Sequence, residues 1–258
     1  MESKKYLLAL AIKYKGNWND IYNAISQREE LEGSYMLKVA LGYEGKYITI
    51  LDEEYPEHLR QSFKAPFVLF YEGNIELLKD REKQFLALND TKHTNSTDKQ
   101  VAEKLMTKLP DNTAFVIGGN SPFSCNVVRT QNKPVVVVLP CSIDLFKDTD
   151  FKDQILKQNG VFVSEYPNNT EMTKDSVLLR YRIMTSLCNK VLVLSHIKRN
   201  SGTKLLVGLA LNQGKDIMFV PTSPLDNEEN ANNELIAEGA IPVYDNDSLY
   251  FNLVSNVW

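Results

Sequence analysis

From about residue 83 onward the sequence repeats one pattern: an apolar run just long enough for a strand, then a stretch long enough for a helix. The runs are Phe85–Leu88, Ala114–Ile117, Val135–Leu139, Val161–Val163, Val191–Leu194, Ile217–Val220 and Ile241–Tyr244. Between most of them lie helix-length segments: Asp98–Leu109, Phe151–Gln158, Lys174–Asn189, Thr203–Gln213 and Asn232–Glu238. Short apolar runs without polar alternation are buried on both faces, and their alternation with helices indicates a mostly parallel sheet covered on both sides. The expected fold is α/β, a Rossmann-like, doubly wound, mostly parallel sheet.

The chain ahead of this pattern differs in character. Residues 5–14 and 18–29 have helical spacing interrupted by Gly16-Asn17, which suggests a small helical hairpin with Asn17 or Asp20 near the second helix start. A third short helix is expected to run to about Ala40. Ile48–Leu51 and Val68–Tyr71 read as short strands around a Tyr-Pro turn and the Pro66 break. The expected organisation is a small helical N-terminal domain over 1–45, an extended connecting segment over 46–82, and the Rossmann-like core over 83–258.

With 43% hydrophobic and 24% charged residues in a chain of 258, the composition is that of an ordinary globular protein. No apolar run approaches the roughly 18 residues a spanning helix needs, and the N-terminal patch soon meets Lys13 and Lys15, so neither a membrane span nor a signal peptide is expected. Cys125, Cys141 and Cys188 form no CxxC pair, and the simplest home is a reducing cytoplasm. His58, His93 and His196 lie far apart without metal-ligand spacing, so no metal or other cofactor is expected.

The net charge of −4 argues against a nonspecific basic coat, but the charge is unevenly placed. Between Thr173 and Lys204 there are seven cations (Lys174, Arg180, Arg182, Lys190, Lys198, Arg199, Lys204) against Asp175 alone, a window of +6 that leaves −10 elsewhere. Inside it, the apolar run ending near Ser195 leads through His196–Asn200 into Ser201-Gly202-Thr203 and a helix-like segment. In doubly wound folds ligands sit beyond the carboxyl ends of strands, where loops enter helices. Unpaired N–H groups and the helix dipole favour an anion there. Gly202 would let a phosphate approach, and the Ser201 and Thr203 hydroxyls could donate to it. Alternatively, Ser201 is simply an N-cap with no ligand to hold.

Several segments together resemble the DNA-processing protein A (DprA/Smf) family. "YPEHLRQSFKAPFVLFYEGN" is similar to the segment that precedes that family's Rossmann domain, and "NGVFVSEYPNNT" to its Gly-x-x-x-Ser-Glu-Tyr-Pro segment. "LLRYRIMTSLCNKVLVLSHIKRNSGTKLLVGLALNQGKDIMFVPTSP" resembles its Arg-Asn-Arg, Ser-Gly-(Ser/Thr), Ala-x-x-x-Gly and Val-Pro-Gly series, and "NNELIAEGAIPV" its Asn-x-Leu-Ile-x-x-Gly-Ala. The resemblance covers about residues 47–75 and 133–243. It implies a cytoplasmic, non-enzymatic protein, usually a homodimer, that binds single-stranded DNA, protects incoming DNA and helps load the RecA recombinase during transformation. The expected phosphate and DNA contacts are Arg180, Arg182, Lys198, Arg199, Ser201, Gly202, Thr203 and Lys204, with Gly118, Gly119 and Phe123 from the second core strand and its loop.

The departures are local. Where the family has a Gly-x-Arg turn after its first Rossmann strand, this chain has Asn89 and Thr91. The second loop reads "VIGGNSPFS" and keeps Gly118 but little else, the Arg-Asn-Arg motif is Arg180-Tyr181-Arg182, and Pro-Gly is Pro221-Thr222. Few residues follow the last expected strand, so the winged helix of some members is not expected here. Two residues apart on a helix, Arg180 and Arg182 point about 200° apart; one is expected on phosphate and the other on an internal acid. Glu165 is expected to orient an arginine rather than act as a general acid. Phe123 is expected in a loop, available to stack on a base, whereas Tyr166 and Tyr181 read better as packing residues. Two other readings are a phosphoribohydrolase-like nucleotide enzyme, whose Pro-Gly-Gly-x-Gly-Thr loop is absent, and a divergent member that has lost DNA binding.

Overall fold

A computed structural model describes residues 2–89, 96–195, 202–223 and 231–255. Three helices open the chain: α1 (Glu2–Lys13), α2 (Trp18–Ser26) and α3 (Gly33–Gly42). Asn17 starts α2 as its N-cap, its side chain accepting from the backbone N–H of Asn19 and Asp20. Then follow β1 (Lys46–Thr49), α4 (Glu57–Arg60) and β2 (Val68–Gly73). The alternating region comprises β3 (Gln84–Asn89), α5 (Ser96–Leu105), β4 (Thr113–Gly118), α6 (Pro122–Arg129), β5 (Val135–Val138), α7 (Thr149–Lys157) and β6 (Val161–Ser164). It continues with α8 (Lys174–Leu187), β7 (Lys190–Val193), α9 (Thr203–Asn212), β8 (Asp216–Phe219), α10 (Asn232–Ala237), β9 (Ile241–Pro242) and α11 (Asn246–Val254).

The strands form one sheet in the order β1-β2-β6-β5-β4-β3-β7-β8-β9. From β6 to β9 every pairing is parallel, whereas β1 and β2 join the β6 edge in antiparallel register. The strand segment between the helical hairpin and the core is thus part of the core sheet. Each expected strand run is found as a strand.

Burial follows the two-residue period of a strand covered on both sides. Val135 and Val137 pack into one apolar cluster, Val136 and Val138 into the other; Leu86 and Leu88 alternate with Phe85 and Ala87 in the same way. The first cluster takes side chains from α1, α2, α5, α6, α7 and α11, the second from α4, α8 and α9. The result is a helix–sheet–helix sandwich in which the N-terminal helices lie on the same face as α5, α6 and α7.

Two helices depart from the expectation. α6 occupies the stretch read as a loop, with Pro122 at its first turn, where the missing N–H costs nothing and the fixed φ suits the helix. Phe123 accordingly sits in the first core cluster at 6% exposure, not in a loop. After β9, α11 is closed at its start by a reciprocal Asp245–Ser248 capping box and buries Leu249 and Leu253.

Candidate nucleic-acid interface

The strand order places a switch point between β3 and β7. From β3 the chain proceeds outward through β4, β5 and β6, then returns to the opposite side of β3 with β7, β8 and β9. The helices that follow β3 and β7, α5 and α9, lie on opposite faces of the sheet, and the crevice between the two strand ends is where such sheets bind ligands. Asn89 at the end of β3, Gly118 at the end of β4 and Ser195 just past β7 mark its floor.

A hydrogen bond between described residues spans the crevice. The Asn89 side-chain amide donates to the Thr203 hydroxyl oxygen at 2.9 Å, and both residues are buried. Thr203 thereby accepts from β3 while its own hydroxyl proton can still donate. α9 starts at this residue with Gly202, which carries no side chain, as N-cap, so the backbone N–H groups of its first turn lie at the crevice end of the helix. Lys204, the next residue, is exposed. Gly202 also serves packing: a Cβ there would lie 3.0 Å from Leu178 Cδ2, so its bareness lets α8 approach the start of α9.

The two arginines of α8 part company. Arg180 lays its guanidinium over the end of β4, where it donates to the Asn120 side-chain oxygen. It lies so close that a Cβ at Gly118 would be 2.6 Å from the guanidinium carbon. A bare Gly118 therefore leaves room for the guanidinium to lie over the strand end. Arg182 instead points into the interior and pairs with Glu165, just beyond β6; their side chains are 3% and 4% exposed. Burial pushes the Glu165 carboxyl up, against the Arg182 guanidinium, the Tyr166 hydroxyl and Lys64, which pull it down. The expected division of labour, one arginine turned to an internal acid, is resolved with Arg182 as the inward one.

This departs from the grouping of Arg182 and Phe123 with phosphate or base contacts: Arg182 is paired inside with Glu165 and Phe123 packs in the first apolar cluster, whereas Arg180, itself buried at 6% exposure, lies over the end of β4. Gly119 is also explained by packing, since a Cβ there would lie 2.4 Å from Leu139 Cδ2. Tyr166 and Tyr181 are buried at 8% and 6%, as packing residues. Arg180, Gly118, Gly202, Thr203 and Lys204 are brought to the crevice. Lys198, Arg199 and Ser201 lie outside the described residues. Asn120 was missed; its signal was its place directly after the strand-ending Gly118-Gly119.

Comparison with known proteins decides the family. The family model for DNA recombination-mediator protein A matches residues 46–253. This chain belongs to that family. DNA processing protein DprA of Streptococcus pneumoniae is 27% identical over 197 residues, which cover 74% of this chain and 68% of that protein. The X-ray structure of DprA from that species superposes with a TM-score of 0.72 at 21% identity, covering 96% of this chain and 94% of the other. DNA processing protein A from Helicobacter pylori, whose structure was described for its single-stranded DNA binding mode, gives a TM-score of 0.67 at 21% identity, with coverage of 83% and 97%. These likenesses fit the doubly wound sheet found here.

Proposed function

We propose that this member of the DNA recombination-mediator protein A family binds single-stranded DNA at the β3/β7 crevice without catalysing a reaction on it. In this reading it protects incoming strands and assists RecA loading, acting in the cytoplasm as a homodimer. The observation that carries the proposal is the meeting of Arg180, the glycine-capped start of α9 and exposed Lys204 at the switch point of the sheet. A phosphate there meets a guanidinium fork, backbone N–H groups and an ammonium, each a recognised phosphate ligand.

A titration of labelled oligo-dT and of a duplex of equal length, followed by fluorescence anisotropy at two salt concentrations, tests this. Tighter binding of oligo-dT, with log affinity falling as log salt rises through counterion release, supports it. Salt-insensitive binding of a mononucleotide, with none of oligo-dT, would instead make the crevice that of a nucleotide enzyme. One observation favours a second reading, in which the family's DNA site has closed: the Asn89–Thr203 bond ties the two crevice walls where the family carries a Gly-x-Arg turn. Absence of binding to any oligonucleotide would establish that reading.

A further inference from the structure

A column of aromatic rings stands on the surface of the helical hairpin. Tyr22 stacks on Trp18 with centroids 5.0 Å apart and planes 12° from parallel, and Trp18 stacks on Phe67 at 5.3 Å and 23°. The inner rings serve the fold, since the Trp18 indole N–H donates to the Ala65 carbonyl at 2.8 Å and Phe67 packs on the core. The outer ones are turned to solvent. Tyr22 is 50% exposed and Phe63 beside the column is 66% exposed. The Lys64 ammonium lies 5.0 Å from the Trp18 ring centroid and 5.7 Å from that of Phe63, steadied by the Asn19 side-chain oxygen at 2.8 Å.

Lys64 holds this place at a backbone cost. Its φ is +53°, in the left-handed region that a side chain adopts against steric resistance, and such strain persists where the surroundings impose it. The location matters as well. Lys64 is close enough to Glu165 to lower its carboxyl's pKa, and Gly16 of the hairpin turn is packed on the Glu165 carbonyl. Glu165 follows β6 directly, so the column stands at the carboxyl end of the parallel strands, the end that carries the crevice.

We infer that Tyr22, Trp18, Phe63 and Lys64 form a second contact for the same DNA strand, a platform on which bases stack while Lys64 meets the phosphate between them. The inference rests on the single-strand reading proposed above. Stacked rings with an adjacent cation are what sequence-tolerant single-strand binding uses, because every base has a π-face and every linkage a charge. Three strand spacings of about 4.8 Å separate β6 from β3. At roughly 3.4 Å per stacked nucleotide, a strand needs about four or five nucleotides beyond those seated in the crevice to reach the platform. Short oligonucleotides therefore fill the crevice alone, and longer ones reach both.

The experiment compares oligo-dT of about 5 and about 16 nucleotides, spanning common single-strand site sizes. Tyr22→Ala/Phe63→Ala, both surface changes, is expected to weaken binding of the long oligonucleotide by at least about fivefold and leave the short one unchanged. Lys64→Gly relieves the left-handed backbone, so it should lose affinity for the long oligonucleotide without losing thermal stability. Trp18 and Trp258 are the two tryptophans, so a Trp258→Phe background makes Trp18 the reporter. Its emission should be quenched by the long oligonucleotide and not by the short one. Unchanged affinity and unchanged Trp18 emission, with short-oligonucleotide binding intact, overturn the platform and leave the crevice standing. That result would also open the exposed rings to a protein partner instead. If neither oligonucleotide binds the wild-type chain, the crevice reading fails and the platform with it.

Discussion

Helix α8 contains two regions built from nearly the same residues that do opposite things. Around Arg180 it reaches the crevice: the guanidinium covers Gly118 and donates to Asn120, and Leu178 and Leu179 just before it are well exposed. Two residues later the helix is interior on every side, and Arg182 is engaged by Glu165. A basic window counted along the sequence therefore overstates the charge that a ligand meets. The rotation of about 100° per residue, not the number of cations, decides which of them faces the crevice.

The largest effect that can break this comparison is expected from Arg182→Ala. It leaves the Glu165 carboxyl buried without its guanidinium, which costs about 3–5 kcal/mol when one partner of a buried pair is removed. Chemical denaturation measures it, and Arg182→Met/Glu165→Gln should recover most of the loss. The pH dependence has a definite sign. Burial already pushes Glu165 up, and loss of the arginine pushes it further. A carboxyl with a raised folded pKa contributes stability that is fully present below the unfolded value of roughly 4.3 and is lost as pH rises through the folded one. The deficit of the variant should accordingly be greatest near neutral pH and shrink in acid. If Arg182→Ala instead stays stable and loses DNA, the roles of the two arginines are reversed.

How far each region was legible follows from the range of the forces involved. The strands could be read because runs such as Val135–Val138 are apolar at every position, a signal carried within four residues. α6 was hidden because Pro122-Phe123-Ser124 reads as a turn, and only the strand before it shows that Pro122 sits at a helix start. The divergence of Arg180 and Arg182 was readable from helix geometry, but its direction was set by Glu165 on another element. Asn89 stood out as a departure, yet its meaning depends on Thr203, 114 residues away, which only the β3–β7 pairing brings near.

Intermediate effects are expected at the other arginine. Arg180→Gln should reduce affinity for oligo-dT by roughly tenfold or more, in line with about 1.5–3 kcal/mol for a hydrogen bond to a charged group. Gly118→Ala reaches the same end from the opposite side. Its methyl group would sit 2.6 Å from the guanidinium, and because that group ends a flexible chain it moves away rather than unfolding the helix. Both variants should therefore lose DNA affinity by anisotropy while shifting the melting temperature far less than Arg182→Ala. A Gly118→Ala protein that binds normally would mean that Arg180 need not stand over β4 for the strand to be held.

The smallest effect is expected from Lys204→Ala, and it sharpens the comparison in a different way. Lys204 is exposed at the start of α9, so removing it should leave stability unchanged and weaken oligo-dT binding only a few-fold. Its signature is in the salt dependence, since one fewer neutralised phosphate lowers the slope of log affinity against log salt by about one. Arg180→Gln acts on the same slope, and the double variant should lower it by about two if the residues hold separate phosphates. A slope unmoved by Lys204→Ala but lowered by Arg180→Gln would route the strand over β4 and α6, away from α9. The start of α9 would then be a structural end rather than a phosphate seat.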